Sequence, residues 1–133
     1  MIAKTNPPGL HPTPGYHHVT SVHAGRLIFL AGQCPLDEHA ELVGAGDLPA
    51  QVDQVVHNIG VALAAAGASP DEVVRTVIYV ASADRADLTA VWSQLRQSPI
   101  AGALTSASTL LGVAQLGYPG QLVEIDVTAA VSA

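Results

Sequence analysis

Residues 73–81, VVRTVIYVA, are apolar at nearly every position, and this run constrains the fold more than any other stretch of the chain. A strand wetted on one side alternates apolar with polar side chains, whereas one buried on both sides is apolar throughout. Residues 26–32, RLIFLAG, repeat the pattern. A sheet holding two such strands needs a cover on each face, so the number of helices becomes the deciding quantity.

Two helices are predicted. Asp47 is placed to cap the first, Pro49 falls in its first turn, and Val52, Val55, Val56, Ile59, Leu63 and Ala66 recur at helical spacing until Gly67. Asp84 is placed to cap the second, whose Leu88, Val91, Trp92 and Leu95 form one stripe. Ser69 and Glu72 form a capping-box pattern that opens only a short turn. The remaining strands are expected at residues 16–23, paired to 26–32 through a hairpin at Ala24 and Gly25, and at residues 108–116 and 121–131 near the end of the chain. Residues 33–46 read as a loop, with ELV at 41–43 as a short edge strand. The order is ββαβαββ. Two single-striped helices cover only one face of such a sheet, so the other is expected to pack on a second copy of the chain.

Composition supports that expectation. Only 12% of the residues are charged, against a usual share of about 25%, and 49% are hydrophobic, which excludes a disordered chain. The length of 133 residues fits one domain, 1–133. Five Lys and Arg against eleven Asp and Glu give a net charge of −6, so no basic stripe exists for a nucleic acid. Cys34 is the one cysteine; it cannot pair within the chain, and the expected setting is a reducing cytoplasm. The opening MIAKTNPPG reads as an extended arm rather than a secretory signal. Residues 97–123 are uncharged, but Pro99, Gly102, Gly112, Gly117, Pro119 and Gly120 interrupt them, so buried soluble structure is expected and no membrane span.

Several segments, taken in order, resemble one family. PGYHHV is similar to its Tyr-bearing first strand and LIFLAGQCPLD to its strand leading into a Gly-Gln-x-Pro loop. AQVDQVVHNIGVALAAAGAS resembles its first helix, and DEVVRTVIYV and LVEIDVTAA resemble its central and last strands. On these residues the chain is identified as a member of the reactive-intermediate deaminase family (RidA, YjgF/UK114). The resemblance implies an α+β chorismate-mutase-like fold with two helices on one face of the sheet. It also implies a homotrimer, and a small-molecule cleft at each subunit interface with neither metal nor cofactor. Active members of that family hydrolyse 2-imino and 2-enamino acids, holding the substrate carboxylate with an Arg in the penultimate strand. Here Ser108 stands at that position, and an Asn of the second helix aligns with Ala90. A guanidinium makes two charge-assisted hydrogen bonds to a carboxylate where Ser offers one neutral donor.

The ligand set implied by the resemblance is Tyr16, Ala31, Gly32, Ser108, Thr109 and Leu110, the last two through backbone N–H groups, with Glu124 as the acid/base. Glu124 and Asp126 share one strand face while Val123, Ile125 and Val127 share the other. Glu124 is read as orienting a water, and Asp126 as structural. The expected function is a trimer that binds a neutral or cationic small molecule without Arg-dependent deaminase activity. Its rivals are a hydrolase of C=N or amide bonds using Glu124 and water, and a structural or regulatory trimer; ribonuclease activity is disfavoured by the dispersed cations. His17, His18 and His23 are read as packed or solvated, because neighbours in a strand point to opposite faces. Cys34 is read as a buried, unreactive thiol with no base beside it, Trp92 as core and Tyr118 as turn.

Overall fold

The computed structural model describes residues 1–132. Its strands are β1 (Ile2–Thr5), β2 (Val19–Val22), β3 (Arg26–Phe29), β4 (Val73–Val80), β5 (Ala107–Gly112) and β6 (Val123–Val131), and its helices α1 (Leu48–Ala65) and α2 (Arg85–Arg96). β3, β6, β4 and β5 form a four-stranded sheet in that order, with β4 and β5 parallel and the other pairs antiparallel. β1 and β2 form a separate antiparallel pair. This is the α+β arrangement that the resemblance implied, with both helices on one face of the four-stranded sheet.

The helices follow their local signals. The Asp47 carboxylate accepts from the Ala50 amide at 3.1 Å and the Asp84 carboxylate from the Ala86 amide at 2.9 Å, each satisfying an N–H that the first turn leaves free. Gly67 ends α1 with φ +78°, a left-handed conformation that glycine adopts without strain. Val52, Val55 and Ile59 of α1 and Leu95 of α2 are fully buried, and Val91 of α2 nearly so. They pack on Ile78 and Val80 of β4 and on Val123, Ile125 and Val127 of β6. Gln51 is buried among them with every polar atom used: its amide donates to the Gly44 and Gly120 carbonyls at 3.0 Å, and its oxygen accepts from the Leu122 amide at 2.7 Å.

Strand pairing departs from the sequence reading at the start of the chain. The hairpin expected between 16–23 and 26–32 does not form: β2 pairs with β1, Val22 opposite Ile2, while β3 pairs with β6, Arg26 opposite Val131. The opening segment is therefore a strand rather than an extended arm. Ala24 and Gly25 do turn the chain, with φ of 63° and 117°, but they pass it from one sheet to the other. A side chain on Gly25 would come within 2.6 Å of the Val131 carbonyl, so the turn is pressed against the end of β6. Residues 16–18 precede β2, so the strand alternation invoked for His17 and His18 does not apply there.

The other expected strands are shorter than the patterns suggested. Regular pairing of β3 ends at Phe29, although the Leu30 amide reaches the Val127 carbonyl at 3.0 Å and the Gln33 amide reaches that of Ile125 at 2.8 Å. β5 ends at Gly112, after which the Val113 amide closes on the Val80 carbonyl at 2.8 Å. The edge strand expected at 41–43 is reduced to one bridge between Leu36 and Leu42. No helix among the described residues is long and apolar enough to cross a membrane.

Candidate functional site

The expected site residues fall into two groups. The first lies between β5 and α2, where Ser108, Thr109 and Leu110 line a cleft together with Thr89 and Trp92, and Pro14 and Tyr16 close the third side. The cleft measures about 420 Å³. The segment between β1 and β2 is pinned to α2: the Pro14 carbonyl accepts from the Trp92 indole at 3.3 Å and from the Arg96 guanidinium at 2.7 Å. Gly15 permits this approach, with φ +125° and a position where a side chain would come within 2.6 Å of the Arg96 guanidinium carbon. The Tyr16 and Trp92 rings meet edge to face, centroids 6.1 Å apart, forming an aromatic corner. The Tyr16 hydroxyl lies 3.0 Å from His11 Nε2.

The second group lies across the sheet. Glu124 projects from β6 on the face without helices, together with Asp126. Its Oε1 accepts from the Cys34 thiol at 3.2 Å and from the Gln121 amide at 3.1 Å. Gln121 is itself buried and fixed, its amide also donating to the Val123 carbonyl at 3.1 Å and its oxygen accepting from the Tyr118 amide at 3.1 Å. The other carboxylate oxygen of Glu124 lies over Gly32, where a side chain would collide with it, so the glycine is what leaves that oxygen room. The Ala31 carbonyl, one residue earlier, accepts from the Gln33 amide at 3.0 Å.

The sequence reading of Cys34 needs one correction. It does have a carboxylate beside it, brought from 90 residues away, and it is half-buried. Burial pushes the thiol up to about 11, and the hydrogen bond and charge of Glu124 add to that. The thiol is therefore protonated, and it serves as a donor to Glu124 rather than as a nucleophile. Burial and the nearby Asp126 also raise the Tyr79 hydroxyl.

Sequence reasoning missed three residues of the cleft. Trp92 packs against the core as expected but also supplies a cleft wall, Pro14 and Thr89 were not singled out, and Ala90, the expected helix position, is not among the cleft residues. The available signal was the indole N–H of Trp92, since a tryptophan on a core stripe still needs an acceptor. A larger hollow of about 700 Å³ between residues 33–38 and α1 holds none of the expected ligand residues.

Comparison with known proteins bears on the chain as a whole. Residues 9–131 match the model of the family described as endoribonuclease L-PSP. A RutC family protein of Synechocystis is 31% identical over 120 residues, covering 89% of this chain and 88% of its own. A RutC family protein of Pyrococcus horikoshii is 35% identical over 69 residues, so the match spans about half of that relative, 55% of its length. Among solved structures, the conserved Rid-family protein YyfB of Yersinia pestis, of unknown function, is 36% identical with a TM-score of 0.89 over 98% of both chains. A member of the YjgF/YER057c/UK114 family from Mycobacterium tuberculosis is 27% identical with a TM-score of 0.64, covering 98% of this chain and 100% of its own.

Proposed function

The chain belongs to the endoribonuclease L-PSP family, the Rid or YjgF/UK114 group, and on that premise we propose that it forms a homotrimer binding a small molecule in clefts between subunits, without Arg-dependent deaminase activity. The observation that carries this reading is the division of the expected ligand residues into two half-sites. Tyr16, Ser108, Thr109 and Leu110 line a cleft on the α2 side, while Gly32 and Glu124 sit on the face without helices. A second copy of the chain docked by its bare sheet face would join one half-site to the other. Phe29, 74% exposed, and Leu27, 51% exposed, supply the apolar surface for such docking.

Ser108 in place of the Arg of active relatives argues against a carboxylate anchor. None of the five Lys and Arg is among the cleft residues. Lys4 is engaged with the Thr105 hydroxyl at 2.7 Å, Arg26 with the Ala66 carbonyl at 3.2 Å and Arg96 with that of Pro14 at 2.7 Å. This dispersal also fails to support a ribonucleic acid substrate. The lone cysteine, held as a thiol, fits a cytoplasmic protein.

The rival that a specific observation favours is a hydrolase using Glu124 and water. With Oε1 held by Cys34 and Gln121, and Oε2 free of hydrogen bonds among the described residues, the carboxylate is poised to orient a water. A coupled assay separates the two. Negligible turnover of 2-iminopropionate is expected, and turnover typical of active relatives would refute the proposal. Turnover of a neutral imine or amide, abolished by Glu124→Gln, would favour the hydrolase.

A further inference from the structure

Thr76 of β4 is 1% exposed, and its hydroxyl lies 2.6 Å from the Ser108 hydroxyl, its side-chain partner across the parallel β4–β5 ladder. The Ser108 hydroxyl in turn lies 3.0 Å from the Ser106 carbonyl. A carbonyl only accepts, so the Ser108 proton goes to Ser106 and the Thr76 proton goes to Ser108. The opposite order would leave the buried Thr76 proton with no acceptor among the described residues. A serine hydroxyl has one proton and two lone pairs. At Ser108 the proton and one lone pair are used within the protein, and only a lone pair is left for the cleft.

We propose that the cleft recognises an N–H donor on a flat apolar body, such as an aromatic primary amide or amine, at the position where active relatives use Arg to hold a carboxylate. The inference rests on the cleft reading above and specifies its ligand. The Ser108 lone pair accepts the N–H, the edge-to-face corner of Tyr16 and Trp92 packs the ring, and Leu110, which shares the strand face of Ser108, completes the apolar wall. A carboxylate oxygen placed against Ser108 meets a lone pair, and no cation is among the cleft residues, so it loses water there without gaining a charged partner.

Benzamide, benzylamine and benzoate share a ring and differ only in the head group, and Trp92 is the one tryptophan of the sequence, so its fluorescence reports from the cleft wall. Titration of the full-length protein at pH 7 should show benzamide and benzylamine binding at least tenfold more tightly than benzoate. Ser108→Ala should cost the amide and the amine three- to tenfold while leaving benzoate unchanged. Ser108→Thr, which keeps the hydroxyl, should retain the preference, and Ser108→Arg should reverse it. Benzoate binding as tightly as benzamide to the wild type, or Ser108→Ala leaving the amide unaffected, would overturn the assignment of polarity while the cleft itself stands. A Trp92 signal that none of the three probes moves would overturn the cleft reading and this inference with it.

Discussion

On the helix face of the sheet, Ile78, Val80, Val123 and Ile125 are no more than 1% exposed, whereas on the opposite face Leu27 is 51% and Phe29 74% exposed. The first face is finished within one chain. The second carries apolar edges together with two carboxylates, Glu124 and Asp126, on one strand. β6 belongs to both, with its odd-numbered residues from 123 to 127 in the core and the even-numbered ones on the bare side. One face therefore fixes the fold, and the other is the face on which the proposed assembly and chemistry would rest.

The largest expected effect tests the closed face. Ile125→Ala leaves a cavity where the surrounding helices cannot collapse, and a loss of about 2–5 kcal/mol in urea unfolding is expected. Glu124→Gln, next to it on the bare face, should change stability far less. Equal losses from the two would erase the distinction between the faces.

Phe29→Lys tests the open face. With the proposed trimer, the substitution places a charge in each apolar contact, and sedimentation at micromolar concentration should show one chain in place of three with an unchanged far-UV spectrum. A wild type that already sediments as one stable chain would refute the trimer outright.

The smallest effect concerns the contact between the two half-buried groups beside Gly32. A thiol raised to about 11 is thiolate only on the order of 0.1% at pH 8, so Cys34 should alkylate slowly there. Removing the carboxylate charge with Glu124→Gln lowers the thiol part of the way toward its ordinary 9.0, since burial is the larger cause and remains. Alkylation should speed up several-fold, with the rate rising at lower pH than in the wild type. An unchanged pH–rate profile would mean that Glu124 does not contact the thiol. In the folded protein the raised thiol also stabilises below its unfolded value, and that contribution fades as pH climbs from about 9 to about 11.

Much of the fold was legible because its signals are local. The two helices and their caps follow from spacings of three and four residues and from Asp47 and Asp84, and the faces of β6 follow from a period of two. Strand partners were not legible in this way. Ala24 and Gly25 mark a turn correctly, yet a turn residue specifies φ and not which strand the chain meets next, so β1 took the place that the expected hairpin gave to β3. Of the candidate site, Tyr16, Ser108, Thr109 and Leu110 converge as a group, and Gly32 and Glu124 as another. The wall supplied by Trp92 was hidden because its stripe position also suits the core.

The sequence by itself determined that two single-striped helices would cover one face of a sheet whose strands want both faces buried. Only the tertiary structure decided that Cys34 meets Glu124, that β3 borders β6, and that the Ser108 proton is spent on Ser106. The reason is physical. Burial periodicity is set residue by residue along the chain, while the direction of a hydrogen bond and the identity of a neighbour depend on groups that folding brings together from far apart, as Thr76 and Ser108 are, 32 residues away from each other.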